Sequence, residues 1–542
     1  MKKDSVKTVS KSSMSFLSGT LMSRITGGLR DISMAFCFGS SGALSAFMVA
    51  YRFSNLARPL FGENPVASGF IPHFEYLKKQ SSEEAMIFFR DTFFSLSFFL
   101  IGILGLAEFI LWILYHFSSI SSSSKEVLQT CLIMLPGGLF LCLYGISGAF
   151  LKCEKFFFLP GFAPVAFNLV WIISVFYFKN EPASKAMTGL SFAMVLAFFL
   201  HWAVLLPKML KIIKGSMPLR KLFAVQLFSA EVRKIIKPFF LGILGVGAIQ
   251  INNALDGIFA RYASLEGPAY LWYAIRLEQL PVGLFGVALS TALLPTLARS
   301  AADEDLGEFK EFLVYALRKT MGLLVPCTVA LFVLGAPLVN FVYGRGDFSE
   351  YATYETILCL WGYSLSVIPS VGVMLIAQAL YAKKSFKAPA LTSLASVGVN
   401  LILNYIFVFY FSWGAISIAL ATSVAAMVNF FILSIILHKK MGAPFLLDAI
   451  GKTSYGTLIC SLFAGCLTIA LGYFFANDPT LSMLIEGRSA HFTRSWQDQF
   501  MGIFVLGGFF VLILLSYAWL GRVQEILSIF GIQIKKEAAE DC

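Results

Sequence analysis

Charge is scarce in this chain. Only 13% of its 542 residues are Asp, Glu, Lys or Arg, against about 25% in an average soluble domain. With 58% hydrophobic residues, that shortage excludes an ordinary soluble globule and points to a polytopic membrane protein. Histidine is also rare, five in all, and scattered, and the nine cysteines form no CxxC pair. Together these exclude the usual zinc patterns, and six of the cysteines fall in apolar runs as small buried hydrophobes. The run after the basic N-terminus is too polar for a signal peptide and lacks a small-residue cleavage site, so no cleavable leader is expected. The net charge of +11 sits mostly in alternate loops. It therefore reads as membrane topology rather than as a footprint for nucleic acid, and no nucleic-acid partner is expected.

Apolar stretches of about 20 residues recur about fourteen times. The fold expected is therefore all-α, with about 14 transmembrane helices. Basic loops, such as those holding Lys78, Lys79 and Arg90 or Lys383, Lys384 and Lys387, alternate with loops poor in charge, such as Ser118–Ser124 and Phe411–Trp413. The alternation puts both termini in the cytoplasm, with Lys2 and Lys3 at one end and Lys535 and Lys536 at the other. The second apolar segment is interrupted by Pro59, Gly62 and Pro65. Broken helices at membrane depth are tolerated where they line a cavity or are buried in protein.

An internal repeat runs through the chain. Arg52, Asn55, Leu56, Leu60, Phe61 and Gly62 recur as Arg276, Gln279, Leu280, Leu284, Phe285 and Gly286, at an offset of 224. Asp31 and Ala35 match Asp256 and Ala260 at 225, and Phe70-Ile71-Pro72 matches Leu293-Leu294-Pro295 at 223. Helices one and two thus correspond to seven and eight. An even number of spans separates the copies, which gives two six-helix lobes related by a pseudo-two-fold axis along the membrane normal. The boundaries expected are 1–215 for the N-terminal lobe, 216–440 for the C-terminal lobe and 441–542 for an extra helix pair with a cytoplasmic tail.

The little charge there is lies in an unusual place. Arg24, Arg30 and Asp31 fall inside the first apolar segment, and Arg52, Arg58 and Glu63 inside the second. On insertion scales each central Arg costs roughly 2.5–3.5 kcal/mol, so four facing lipid would cost on the order of 10 kcal/mol. They must face a wet or paired interior. Arg24 and Asp31 share a helix face, and Arg276 holds the repeat position of Arg52, so arginines from both lobes can converge on the cleft between them. Arginine suits phosphate because its planar fork donates two hydrogen bonds and keeps its charge. Interhelical salt bridges are the alternative, but four arginines outnumber the two carboxylates of the first two helices. Elsewhere, Asp256 beside Asn252 and Asn253, Asn400 four residues before Asn404, and Thr422 offer oxygens of the kind a Na⁺ site uses; interhelical polar contacts are the other reading.

These residues resemble the MurJ (MviN) family, the lipid II flippases of the multidrug/oligosaccharidyl-lipid/polysaccharide exporter superfamily. The matching stretches are Ser23-Arg24, Gly27 and Arg30-Asp31; Asn55-Leu56, Arg58 and Phe61-Gly62-Glu63; Arg276-Leu277, Pro281, Gly283 and Gly286-Val287-Ala288-Leu289; and Leu420-Ala421-Thr422-Ser423. The resemblance runs from about residue 13 to 520. It implies export of an undecaprenyl-diphosphate-linked peptidoglycan precursor, lipid II, by alternating access in the bacterial cytoplasmic (inner) membrane. It makes the chain a transporter rather than an enzyme, serving cell-wall synthesis and cell shape, with membrane lipids and cell-wall synthesis proteins as its surroundings. Carried over by motif, Arg24, Arg30, Arg58 and Arg276 would bind the diphosphate and head group, with Asp31 and Glu63 as their partners and Arg52 added by the repeat. The extra helix pair would form a groove for the polyprenyl tail. A Na⁺ site would map to Asp256, Asn400, Asn404 and Thr422. Two departures stand out: Ser45 replaces a family acidic residue, and Asn404 stands where the family can have Asp. The competing readings are an exporter of drugs or of another lipid-linked oligosaccharide, and a membrane enzyme acting on a lipid-linked sugar. The arginine cluster opposes a cationic drug, and the short external loops offer no acid/base or metal cluster for an enzyme.

Overall fold

The structure, a computed structural model, describes residues 6–286, 306–383, 385–441, 452–475 and 479–527. Among them there is no strand, and the chain divides by its contacts into two compact units, Met1–Arg261 and Tyr262–Cys542. The residues between 216 and 261 therefore pack with the first unit. The repeat match at Leu293, Leu294 and Pro295, the motif residues Val287, Ala288 and Leu289, and the tail residues Lys535 and Lys536 lie outside the described residues.

The first unit opens with α1 (Val6–Phe38) and α2 (Gly42–Ala57). Ser41 caps α2, its hydroxyl accepting from the Leu44 amide at 3.3 Å. α2 does not stop at its end. It widens into one π-turn, Arg58–Gly62, and resumes as α3 (Asn64–Gln80). Pro59 and Pro65 explain the break, since each removes a backbone donor and its ring collides with the preceding turn. The Glu63 amide closes the wide turn on the Arg58 carbonyl at 3.0 Å. After α4 (Ser82–Phe117) and α5 (Ser122–Met134) comes α6 (Gly138–Cys153), against which the π-turn is pressed. A Cβ added to Gly145 would fall 1.9 Å from the Gly62 carbonyl oxygen, so only glycine fits there. The break is thus packed backbone to backbone against α6.

The unit continues with α7 (Phe158–Phe178), α8 (Ala183–Ala203), α9 (Leu206–Ser216), the short α10 (Leu219–Leu222) and α11 (Ala230–Ala263). Its core is aromatic: the Phe89 and Phe150 rings stack at 4.1 Å, and Phe70 stacks on Phe88 at 5.4 Å.

The second unit repeats the opening. α12 (Gly267–Pro281) runs into a π-turn at Val282–Gly286, 224 residues after the first. Then follow α13 (Leu306–Val333), α14 (Gly335–Tyr343), α15 (Glu350–Ser364), α16 (Val367–Ala382), α17 (Lys387–Tyr405) and α18 (Ile416–Met441). The last pair of long helices, α19 (Lys452–Phe475) and α20 (Trp496–Leu520), packs on α13 through Ala464, Phe510, Leu514 and Val329.

Ten helices among the described residues are long and apolar enough to cross a membrane, and α11, bent by 47°, makes an eleventh if its halves are one span. This is a multi-pass membrane protein. The remaining segments of the expected fourteen, around residues 26, 60 and 284, are helical where described. The first two carry the arginines and carboxylates, and the third leaves the described residues after Gly286.

Candidate functional site

Two arginines of α1 have opposite surroundings. Arg30 is buried. Its Nε and Nη2 donate to the Asp31 carboxylate at 2.9 and 2.8 Å, and its Nη1 donates to Asn168 Oδ1 at 3.1 Å. Its guanidinium lies 4.6 Å from the centre of the Trp171 ring. Asn168 in turn donates to the Ser23 carbonyl at 3.1 Å and to Thr26 Oγ1 at 3.0 Å. Both Asn168 and Trp171 stand on α7, so Arg30 fastens α1 to α7 and has its charge met by Asp31. Arg24 is exposed and makes no hydrogen bond or ion pair among the described residues. By their spacing of seven, Arg24 and Asp31 share a helix face. The structure pairs Asp31 with its neighbour Arg30.

Arg58 opens the π-turn and Glu63 follows its end, an arrangement that sets their side chains 3.6 Å apart. Both are partly exposed, 34% and 43%, so this pair is a weak one that a stronger anion can displace. Arg52, six residues earlier, donates to the Asn253 carbonyl of α11 at 3.4 Å. Asp256 accepts from Asn252 at 3.4 Å on the same helix.

In the second unit Arg276 lies with its guanidinium 4.3 Å from the centre of the Trp272 ring. This cation–π placement orients the guanidinium plane. Glu278, two residues on, is buried and accepts from the Ser366 hydroxyl at 3.4 Å. Asn404 donates to Asn400 Oδ1 at 2.8 Å, Asn400 donates to Thr422 Oγ1 at 3.3 Å, and Thr422 donates to the Ile418 carbonyl at 2.9 Å. The three expected sodium ligands of this unit therefore form a hydrogen-bonded chain tying α17 to α18. Asp256 belongs to the first unit. Among the described residues no group of three His, Cys, Asp or Glu could hold a metal.

Sequence reasoning missed three side chains. Asn168 is a lone amide in the apolar run of α7, and that isolation was the available signal. Arg261 donates to Ser123 Oγ at 3.2 and 2.8 Å and to the Gly42 carbonyl, and lies 3.6 Å from Glu126. It thereby ties the end of α11 to α2 and α5. His201 is 2% exposed, its ring 4.0 Å from that of Tyr144, and neither ring nitrogen has a hydrogen-bond partner among the described residues.

Residues 34–486 match the family model described as "Lipid II flippase MurJ". The chain is 32% identical over 541 residues to a probable lipid II flippase MurJ of Chlamydia trachomatis, covering 99% of this chain and 98% of that protein. It is 27% identical over 432 residues to the lipid II flippase MurJ of Burkholderia cenocepacia, covering 78% and 82%. Among solved structures, a lipid II flippase MurJ in an inward closed conformation aligns with a TM-score of 0.71 at 24% identity, covering 94% of this chain and 98% of that one. An inward-facing multidrug resistance MATE transporter of the MOP superfamily aligns at 0.63 with 14% identity, covering 79% and 98%. The fold is thus like that of both structures, and by its sequence this chain belongs to the lipid II flippase MurJ family.

Proposed function

We infer that this protein is a lipid II flippase, a transporter and not an enzyme, that carries the head group of the lipid-linked peptidoglycan precursor across the membrane. The observation that carries the reading is the pair of intramembrane arginines whose forks remain available: Arg24, exposed and without a partner among the described residues, and Arg58, held only by a long ion pair to Glu63. We propose that these two, with Arg276, bind the diphosphate. Each charge-assisted contact contributes roughly 1.5–3 kcal/mol, and the bidentate fork adds orientation. Arg52 is a supporting cation, tethered to α11. Arg30 and Asp31 act one step back, by setting the rotation of α1 against α7 and so the direction in which Arg24 points. Glu63 holds Arg58 between substrates. The superfamily fold supports alternating access as the mode of movement, and the loop charges support a cytoplasmic membrane location with both termini inside.

Sodium coupling through Asp256, Asn400, Asn404 and Thr422 is a separate proposal. The amide and hydroxyl oxygens are of the right type, and in this structure they serve as an interhelical link. Replacing Na⁺ by choline on both sides of reconstituted vesicles decides it: loss of transport supports the site, and unchanged transport removes it.

The function is tested by reconstitution with fluorescent lipid II and a membrane-impermeant quencher. Protein-dependent exposure of the head group supports it. Exposure equal to that in protein-free vesicles overturns it.

A further inference from the structure

A second lipid-binding feature lies in the first unit, away from the arginines. A cavity of about 140 Å³ opens among α3, α4, α6 and the first turns of α11, walled by Val66, Phe70, Leu96, Ile146, Ile235 and Phe239. A cavity of that size with aliphatic and aromatic walls stays dry and takes apolar guests. Ile236 and Phe240 also line it and are 36% and 47% exposed, so it opens sideways, toward lipid. The neighbouring charge alternation places this end of the helices in the cytoplasmic leaflet.

Three features of its rim point to one occupant. Arg233 and Lys237 stand on the same helical face as Ile236 and Phe240, at spacings of three and four residues. Both are exposed. Arg233 uses only its Nε, on the Phe228 carbonyl at 2.9 Å, and Lys237 has no partner among the described residues. Lys234, by contrast, is held by Glu231 at 2.6 Å. Inside the mouth, Thr92 is 6% exposed and its hydroxyl has no hydrogen-bond partner among the described residues. Above it Phe228, at φ 53°, is held in left-handed backbone by its amide donating to Ser95 Oγ at 2.9 Å. That conformation is unfavourable for a bulky residue, and it sets the Phe228 ring against the cavity.

We propose that this cavity holds an acyl chain of an acidic phospholipid of the cytoplasmic leaflet, with the lipid phosphate between Arg233 and Lys237 and an ester carbonyl accepting from Thr92. The order of chemistry along the opening is that of such a lipid: cations, then one unsatisfied hydroxyl, then apolar walls. Basic pockets between helices on the cytoplasmic side are suited to anionic head groups. The walls described belong to one unit, and the volume fits a segment of one chain. The occupant is therefore a resident lipid that braces α11 on α3 and α4, distinct from the transported substrate.

The test uses the full-length protein in nanodiscs containing phosphatidylglycerol with a photoreactive group on its acyl chain, and phosphatidylcholine with the same group for comparison. Cross-links are expected on peptides holding residues 92–99 and 232–240, with phosphatidylglycerol favoured by about tenfold, equivalent to 1.4 kcal/mol. R233Q with K237Q should bring its yield down to that of phosphatidylcholine. Ile236→Trp, placed at the mouth, should reduce the yield for both lipids. Equal yields for the two lipids, or yields unchanged in R233Q/K237Q, would overturn the proposal. Loss of the cross-link on adding unlabelled lipid II would also overturn it, by assigning the cavity to the substrate's tail.

Discussion

Arg24 and Arg30 are six residues apart on one helix, yet their removal should fail in different ways. Arg24→Ala removes a cation that holds nothing in place, so the protein should remain folded in the membrane while export is lost. Arg24→Lys should recover part of the activity, because a lysine keeps the charge without the bidentate fork. Arg30→Ala instead strands the buried Asp31 carboxylate, a change that costs roughly 3–5 kcal/mol. It should appear as a lower melting temperature and less protein, and adding Asp31→Asn should recover most of the stability. Thermal melts of the two single variants and the double variant in detergent separate these roles. Equal melting temperatures for Arg24→Ala and Arg30→Ala would show that Arg30 is not the fastening described. The sequence made the arginines visible, because charge in an apolar run is locally conspicuous. It could not say which of them was already satisfied. The partner Asn168 is 138 residues away from Arg30, and helical periodicity carries no information over that distance.

At the scale of elements, the break in the second apolar segment was legible. Pro59, Gly62 and Pro65 announce it, and the offset of 224 locates its copy, where the structure has a second π-turn at Val282–Gly286. What the sequence did not disclose was the surface that holds the break. Gly145 lies in an unremarkable apolar run, and its role follows from the 1.9 Å that would separate an added Cβ from the Gly62 carbonyl. Gly145→Ala should therefore displace the π-turn and Arg58 with it, at a stability cost on the order of 1–3 kcal/mol. Export should fall in Gly145→Ala by more than in Gly102→Ala, where an added Cβ meets nothing within 4 Å. Similar transport by the two variants would mean that the position of the π-turn does not matter to function. The sodium reading illustrates the reverse limit. Asn400 and Asn404 were correctly placed on one face by their spacing of four, but spacing does not distinguish a ligand set from a hydrogen-bonded link, and the geometry found is a link.

At the scale of the whole molecule, loop charge and the number of spans decide sidedness. Lys383 ends α16 and Ser121 caps α5, its hydroxyl accepting from the Ser124 amide at 3.3 Å. Cysteines introduced at the two positions should react with impermeant maleimide from opposite sides, Ser121→Cys from outside intact cells and Lys383→Cys only after permeabilisation. Labelling of both from one side would refute the alternation. The division of the chain at Arg261 was harder to see, since repeat matching aligns residues by ancestry and contacts group them by packing. The central proposal is that Arg24 and Arg276 are each required for carrying the anionic head group. Its most direct test is the leaflet exposure of fluorescent lipid II in vesicles carrying the parent protein, Arg24→Ala, Arg276→Ala or the double variant, each at matched protein content. The account predicts protein-dependent exposure with the parent and background exposure with each variant; parent-like exposure in the double variant would contradict it.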